Sequence, residues 1–192
     1  MAAQLILASA SPRRRELLDN AGIPYVVDVP NVEELCGLPG KEAVAELSRR
    51  KALAAAGAHP GCFVLAADTL VFVGDEVMGK PRDPEDAKRM LRLLSGRKHQ
   101  VYTGVTVLSP EGRARTETDI SNVFFDELSE EMISAYVESG EPMDKAGAYG
   151  IQGRASLFVR RLEGCYSGVM GLPIYLVRRL LEESGYPLWA GR

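Results

Sequence analysis

Residues 9–14, with the sequence Ser-Ala-Ser-Pro-Arg-Arg, are the first candidate for a binding site in the chain. The apolar run at 4–8 predicts a strand before them, and Pro12 predicts the first turn of a helix that ends near residue 21. A strand that leads into a helix N-terminus presents backbone N–H groups and the positive end of the helix dipole, so it can bind an anion. Arg13 and Arg14 could grip phosphate oxygens there. A helix cap with solvated arginines is the alternative.

Asp68 is a lone carboxylate that follows the apolar run at 62–67. We interpret that run as a buried strand that ends at Asp68 and Thr69. Open α/β sheets bind their ligands beyond the carboxyl ends of such strands. A carboxylate in that place can hold a divalent cation or orient an attacking water. The alternative is an aspartate that opens a turn by bonding its own backbone.

Lys80 ends a stretch, residues 74–80, that matches the beginning of a phosphate-binding P-loop. Pro81 stands where such a loop needs a serine or threonine, and it disfavours a helix at that point. We therefore reject a P-loop and read 70–73 and 76–78 as a hairpin. Lys80 can still reach a phosphate as a point charge, or it is a surface lysine beside a turn.

Residues 141–153 form a long segment without helical or strand periodicity, which is more often functional than accidental. The glycines Gly147, Gly150 and Gly153 allow positive φ and close approach of the backbone. Gln152 carries both a donor and an acceptor, and its amide can pair with the imide-like edge of uracil or thymine. A flexible surface loop is the alternative.

The predicted secondary structure alternates between strand and helix early in the chain, with antiparallel pairs of strands in the middle. Further strands are predicted at 25–29, 99–108, 114–125 and 157–162, and further helices at 41–56, 83–95, 129–139 and 173–184. Gly57 is expected to close the helix at 41–56. The pattern indicates an α/β protein with a mixed sheet, and residues 1–192 are long enough for one domain with one substantial core.

Composition excludes several classes of protein. The net charge of −3 gives no electrostatic case for binding nucleic acid. The three cysteines, Cys36, Cys62 and Cys165, form no C-x-x-C pair, which argues against a zinc site and favours a reducing compartment. Residues 1–4 carry no basic start of a signal peptide, and no stretch is long and apolar enough to span a membrane. We therefore predict a cytoplasmic protein with no membrane partner.

Several motifs, taken in order, resemble the signatures of the Maf family of nucleoside triphosphate pyrophosphatases over nearly the whole chain. They are Ser-Ala-Ser-Pro-Arg-Arg at 9–14, Ala-Asp-Thr at 67–69, Gly-Lys-Pro-Arg-Asp at 79–83, His-Gln-Val-Tyr-Thr at 99–103, and the segment at 141–153. The resemblance implies a mixed, twisted central sheet flanked by helices, in two lobes with a cleft, as in Maf and ITPase-like proteins. It also implies a homodimer.

The resemblance assigns roles to individual residues. It implies that Asp68 is the catalytic carboxylate and that base selectivity depends on Arg13, Thr69 and Gln152. It further implies that the triphosphate is bound by Ser9, Arg14, Lys51 and Lys80, and that Glu33 helps Asp68 to hold a divalent cation, Mg²⁺ or Mn²⁺.

Asp-Lys-Ala-Gly at 144–147 and Tyr-Gly-Ile-Gln-Gly at 149–153 resemble the branch of the family that acts on dTTP and UTP. This implies hydrolysis of dTTP, UTP or a modified pyrimidine nucleotide to the monophosphate and pyrophosphate, with water attacking the α-phosphorus. One alternative is a regulator of cell division that senses nucleotide without turnover. Another is a house-cleaning pyrophosphatase for other non-standard nucleotides. Asp68 favours catalysis, because a binder of anions gains nothing from a carboxylate near the phosphates.

Overall fold

The computed structural model describes residues 4–33 and 37–189, so Cys36 and residues 1–3 lie outside the described residues. The strands are β1 Leu5–Ala8, β2 Val26–Asp28, β3 Phe63–Val73, β4 Glu76–Met78, β5 Lys98–Leu108, β6 Ala114–Phe125 and β7 Val159–Glu163. The α-helices are α1 Pro12–Asn20, α2 Gly40–Ala58, α3 Pro84–Leu94, α4 Glu130–Glu138, α5 Tyr166–Val169 and α6 Ile174–Glu183. None of the described helices is long and apolar enough to cross a membrane.

The seven strands form one sheet in the order β2-β1-β3-β5-β6-β7, with β4 paired to β3. Strand β1 pairs in parallel with β2 and β3, whereas β3 with β4 and β6 with β7 pair antiparallel. The sheet is therefore mixed, and the predicted α/β class with helices flanking a mixed sheet is confirmed.

The described chain divides into two compact units. Unit 1 comprises residues up to 68, residues 103–119 and the chain from 171, and unit 2 comprises residues 69–102 and 120–170. The boundaries at 68, 102 and 119 fall inside strands β3, β5 and β6, which therefore belong to both units. That residues 1–192 form one domain stays a prediction.

The core of unit 1 lies on both faces of β1 and β3, because successive side chains of a strand point to opposite faces. Leu5, Leu7, Phe63, Leu65 and Ala67 pack in one cluster with the apolar side of α6. Ile6, Ala8, Val64 and Ala66 pack in the other cluster with Ala52 and Ala55 of α2. Burial on both faces explains why these strands read as unbroken apolar runs. By the same alternation, Asp68 lies on the face that α2 covers.

The core of unit 2 includes a cluster of aromatic rings. Phe125 lies edge-to-face with His99, Tyr149 and Phe158 at centroid distances of 4.9, 4.9 and 6.0 Å. Tyr136 of α4 adds a further edge-to-face contact to Phe158 at 5.2 Å. Such pairs favour one packing arrangement beyond simple burial of area. The cluster therefore fixes residues 148–158 against β5, β6 and α4.

Three boundary predictions were wrong. Strand β3 does not end at Asp68 but continues to Val73, because it pairs with β1 at one end and with β4 at the other. Helix α2 runs through Gly57 to Ala58, since a helix that is already packed tolerates an internal glycine at a cost of about 1 kcal/mol. The strand predicted at 157–162 begins only at Val159, after a 3-10 turn.

Two local features were not predicted. Helix α5 follows Cys165, whose sulfur accepts a hydrogen bond from the Gly168 N–H at 3.3 Å and so replaces the usual oxygen cap. The segment at 141–153 is also not a flexible surface loop. It contains two 3-10 turns, Glu141–Asp144 and Ala146–Ala148, and several of its residues are buried.

Candidate active site

Ser9 and Arg14 meet at the turn between β1 and α1 in unit 1. The Arg14 guanidinium donates from Nη1 to Ser9 Oγ at 3.0 Å and from Nε to the Gly171 carbonyl at 2.9 Å. The backbone N–H of Ser11 also donates to Ser9 Oγ, at 3.2 Å. These bonds hold a cation at the start of a helix, where the dipole also favours an anionic ligand.

The arginine triplet splits as the helical geometry requires. Arg14 points toward Ser9, whereas the exposed Arg15 turns back and donates to the Ala10 carbonyl at 3.0 Å. Arg13 is half-buried. Arg14 and Arg15 therefore point in different directions from the start of α1.

Asp68 is buried in β3 and forms an ion pair with Lys51 of α2. The Lys51 ammonium donates to Asp68 Oδ1 at 2.6 Å, and the two side chains are 15% and 11% exposed. Strand alternation turns Asp68 toward α2, and Lys51 lies one residue before Ala52, which packs on the same face of the sheet. The pair orients the carboxylate, and it places a second cation in unit 1 beside the residue predicted to be catalytic.

Glu33, the second predicted metal ligand, is exposed and directly precedes the undescribed residues 34–36. Among residues 4–33 and 37–189, no three His, Cys, Asp or Glu side chains converge as a metal site would require. Magnesium is commonly bound by one or two carboxylates together with phosphate oxygens of the substrate. Asp68 therefore suits a cation that is shared with a nucleotide better than it suits a closed structural site.

The predicted site residues of unit 2 lie on segments that contact one another. Thr69 is half-buried in β3, and Lys80 is exposed just after β4. The backbone N–H of Gly147 donates to the Gly79 carbonyl at 3.0 Å, which ties the turn carrying Lys80 to the segment carrying Gln152. Gly147 has a φ of +71° and packs against Val71 of β3, where a Cβ would lie 3.0 Å from a methyl group.

The rejection of a P-loop is confirmed, because α3 begins only at Pro84 and is capped by the Asp83 side chain. The buried Asp86 carboxylate accepts from the backbone N–H and from Nε of Arg82, both at 3.2 Å, and from Arg89 Nε at 3.0 Å. The Arg82 backbone N–H and then the Arg89 guanidinium lower the pKa of Asp86. Asp86 thus anchors the chain just after Lys80.

Gln152 is half-buried, and its Oε1 atom is buried without a hydrogen-bond partner among the described residues. A buried carbonyl oxygen with no partner is costly, so its presence calls for an explanation such as a bound water, an ion or a functional role. Its place on a packed segment differs from the mobile loop that was the alternative. Unit 2 therefore carries an amide oxygen that accepts no hydrogen bond from the described residues.

A model of the family described as Maf-like protein matches residues 4–184. The chain belongs to the Maf-like family. The resemblance predicted from its motifs is thereby confirmed.

Relatives of this Maf-like chain match it from end to end. A protein of Symbiobacterium thermophilum named dTTP/UTP pyrophosphatase is 50% identical over 192 residues, covering 98% of this chain and 97% of that one. A Geobacillus protein of the same name is 46% identical over 185 residues, covering 95% and 99%. At this identity and coverage the relatives share the same overall fold.

Two solved structures resemble the Maf-like fold at low sequence identity. The Ham1 protein of Staphylococcus aureus has a TM-score of 0.54 and 17% identity, covering 94% of this chain and 98% of that one. A HAM1 protein of Coxiella burnetii has a TM-score of 0.51 and 16% identity, covering 94% and 99%. At this sequence identity the likeness shows a shared fold alone.

Sequence reasoning missed three residues of this Maf-like chain that hold the predicted ones. The Gly171 carbonyl holds Arg14, and Tyr136 and Glu141 hold the segment around Gln152. Gly171 is far from Arg14 in sequence, and Tyr136 reads as an ordinary apolar position of α4. Only Glu141, an acid beside a glycine and a proline, gave any local signal.

Proposed function

We propose that this chain hydrolyses dTTP and UTP to the nucleoside monophosphate and pyrophosphate. The observation that carries the proposal is the buried Asp68 carboxylate held by Lys51, in a chain half identical to a protein named dTTP/UTP pyrophosphatase. A modified pyrimidine nucleotide is a substrate of the same class. We further propose that the protein acts in the cytoplasm as a homodimer.

In unit 1, Ser9, Arg14 and Lys51 bind the triphosphate, and Lys80 of unit 2 adds a further cation. Arg14 is fixed before substrate arrives, because its guanidinium is already bonded to Ser9 and to the Gly171 carbonyl. Cations that are held in place stabilise the negative charge that builds on the phosphates and on the leaving pyrophosphate.

Asp68 orients the attacking water and takes its proton. The water oxygen forms a bond to the α-phosphorus, and the bond from that phosphorus to the oxygen bridging it to the β-phosphorus breaks, so the electron pair leaves with pyrophosphate. Lys51 keeps the Asp68 carboxylate in one orientation at 2.6 Å. A positioned base of this kind typically contributes about 10²–10⁴-fold to the rate.

Asp68, with Glu33, would hold a divalent cation, Mg²⁺ or Mn²⁺. When bound, such an ion offsets phosphate charge and polarises the phosphoryl oxygens. The donor chemistry agrees with this, since hard cations prefer carboxylate oxygens.

Base selectivity is assigned to Arg13 in unit 1 and to Thr69 and Gln152 in unit 2. The buried Gln152 Oε1 supports this assignment, because it lacks a partner among the described residues and can accept from the imide N–H of uracil or thymine. A base that cannot donate there leaves the oxygen unpaired, and this is the strongest kind of discrimination a binding site achieves.

The experiment is product analysis with Mg²⁺ or Mn²⁺ across dTTP, UTP, CTP, GTP and ITP, for the wild type and for Asp68→Asn. We expect monophosphate and pyrophosphate from dTTP and UTP, and a fall in kcat of about a hundredfold or more in Asp68→Asn while nucleotide still binds. Asp119→Asn is the control, because Asp119 is also a buried carboxylate of unit 1 and accepts from the Tyr175 hydroxyl at 2.9 Å.

Release of orthophosphate would contradict the bond assignment, and wild-type turnover in Asp68→Asn would contradict the role of Asp68. Nucleotide binding without turnover in the wild type would favour a regulator instead.

A further inference from the structure

The backbone on both sides of Gln152 is held by two side chains that the proposed chemistry does not use. The Gly150 N–H, two residues before Gln152, donates to the Tyr136 hydroxyl at 3.2 Å. The Arg154 N–H, two residues after it, donates to Glu141 Oε2 at 3.1 Å. The two bonds flank Gln152 symmetrically along the chain.

The two side chains are also bonded to each other, and we name the pair the Tyr136–Glu141 clamp. The Tyr136 hydroxyl donates to Glu141 Oε1 at 3.0 Å. Tyr136 is only 3% exposed on α4, so its position is set by the core of unit 2. Its burial raises the pKa of the phenol, which therefore stays protonated and able to donate at neutral pH.

The base of the clamp is fixed in turn by Lys145. The Lys145 ammonium donates to the Glu141 carbonyl at 2.6 Å and to Asp144 Oδ1 at 2.7 Å. The first 3-10 turn, Glu141–Asp144, is thereby closed on itself. Glu141 is thus a rigid acceptor and not a freely moving surface acid.

Two glycines of the segment are explained by the Glu141 and Lys145 side chains. A Cβ on Gly153 would lie 2.0 Å from Glu141 Oε1, and one on Gly150 would lie 2.7 Å from Lys145 Cε. Real Cβ atoms do not approach other atoms so closely. Glycine at these two places therefore makes room for the Glu141 and Lys145 side chains. Of Gly147, Gly150 and Gly153, only Gly147 has a positive φ.

We propose that Tyr136 and Glu141 are positioning residues for base selectivity, which hold the backbone around Gln152 so that its amide meets the base in one orientation. The inference rests on the proposed function, because it takes Gln152 as the group that reads the base. A discriminating amide must be held by groups around it, since a side chain that turns freely finds other partners and accepts the wrong base. The clamp supplies this support by binding the backbone N–H groups of Gly150 and Arg154, on either side of Gln152.

The test compares kcat/KM for UTP and CTP in the wild type, Gln152→Ala, Tyr136→Phe and the double variant. Tyr136→Phe removes only the hydroxyl, and we expect it to lower the UTP to CTP ratio by about fivefold or more. The double variant should have the same UTP to CTP ratio as Gln152→Ala alone, because the clamp acts through Gln152. Glu141→Gln, which can still offer its amide oxygen to the Arg154 N–H, should keep more of the ratio than Glu141→Ala.

Tyr149→Phe is the matched control. It also removes a buried tyrosine hydroxyl from unit 2, next to Gly150, but that hydroxyl is bonded to His99 Nε2 at 2.8 Å and to neither end of the clamp. We expect Tyr149→Phe to lower stability as Tyr136→Phe does while leaving the UTP to CTP ratio within twofold of the wild type. A loss of ratio in Tyr149→Phe equal to that in Tyr136→Phe would show a general packing effect and overturn the proposal.

Failure of the inference is separable from failure of the proposed function. A Tyr136→Phe ratio within twofold of the wild type, in an enzyme whose ratio collapses in Gln152→Ala, overturns the clamp alone. An unchanged ratio in Gln152→Ala overturns the reading of the base by Gln152 and the inference with it. Neither of these two outcomes changes the test of the proposed reaction, which is the formation of monophosphate and pyrophosphate by the wild type.

Discussion

His99 is a buried titratable group that the proposed chemistry does not use. It is 1% exposed, it shares a hydrogen bond with the Tyr149 hydroxyl through Nε2, and its Nδ1 has no partner among the described residues. Burial lowers the pKa of His99 to about 3. In the unfolded chain the same group takes up a proton near pH 6.5. The unfolded state therefore binds more protons than the folded state between these two values.

The free energy of unfolding should accordingly fall as the pH decreases from about 6.5 toward 3. Above pH 6.5 the His99 contribution to stability should be fully present. For His99 alone the free energy of unfolding should be about 2 kcal/mol lower at pH 5 than at pH 7.5. Urea unfolding at the two pH values measures this. His99→Phe should be less stable at pH 7.5 but lose most of the pH dependence. An equal pH dependence in His99→Phe and the wild type would contradict the assignment.

The sequence predicted the chemistry of single residues better than their partners. The carboxylate of Asp68, the amide of Gln152 and the cation of Arg14 all follow from residue type and local pattern. The groups that hold them come from other parts of the chain: Lys51 bonds Asp68, the Gly171 carbonyl bonds Arg14, and Tyr136 bonds the Gly150 N–H beside Gln152. Contacts of this kind depend on how elements pack, which no local pattern contains.

At the scale of elements, helix α2 lies unusually close to strand β5 in unit 1. A Cβ on Gly104 would lie 2.3 Å from the Val44 carbonyl oxygen and 2.8 Å from the Ala45 nitrogen. A chain of hydroxyls runs alongside, from the buried Ser48 to the buried Thr106 at 2.9 Å and on to the half-buried Thr116 at 2.9 Å. This close approach sets the position of α2, and α2 carries Lys51 to Asp68.

Gly104→Ala should therefore displace α2, lower the free energy of unfolding by about 1–3 kcal/mol and reduce kcat through Lys51. The control lies in α2 itself. Gly57 is helical with nothing within 4 Å of an added Cβ, so Gly57→Ala should stabilise the protein by about 0.5–1 kcal/mol and leave kcat unchanged. Thermal unfolding and steady-state kinetics of both variants check this. Equal stability of the two variants would contradict the close-packing argument.

Element boundaries were predicted well where local signals were strong. Asp83 and Ser129 cap α3 and α4 through their side chains, and Gly74 turns the β3–β4 hairpin with a φ of +57°. The signals failed at Gly57 and at Asp68, where packing on both sides continued an element past a residue that usually ends one. Local propensity contributes less free energy to an element than the burial that tertiary packing adds.

At the scale of the whole molecule, strands β3, β5 and β6 each run without interruption through both compact units. If one unit opened alone, each of these strands would lose its pairing partway along its length. We therefore expect the two units to unfold in one cooperative transition.

Native-state hydrogen exchange tests this expectation. The amides of Leu65 in unit 1 and Val71 in unit 2 lie on the same strand, and their free energies of opening should agree within about 1 kcal/mol. A value for Val71 that is several kcal/mol lower would instead indicate that unit 2 opens as an independent domain.

The fold class, the family and the chemical types of the site residues follow from local patterns in the sequence. Apolar runs, caps and glycine turns are local, and the family motifs are short enough to be read without coordinates. Folding is needed to bring Lys51 to Asp68, the Gly171 carbonyl to Arg14, and the Tyr136–Glu141 clamp to the two amides that flank Gln152. These contacts join residues distant along the chain, and their geometry is set by which faces of helices and strands are buried together.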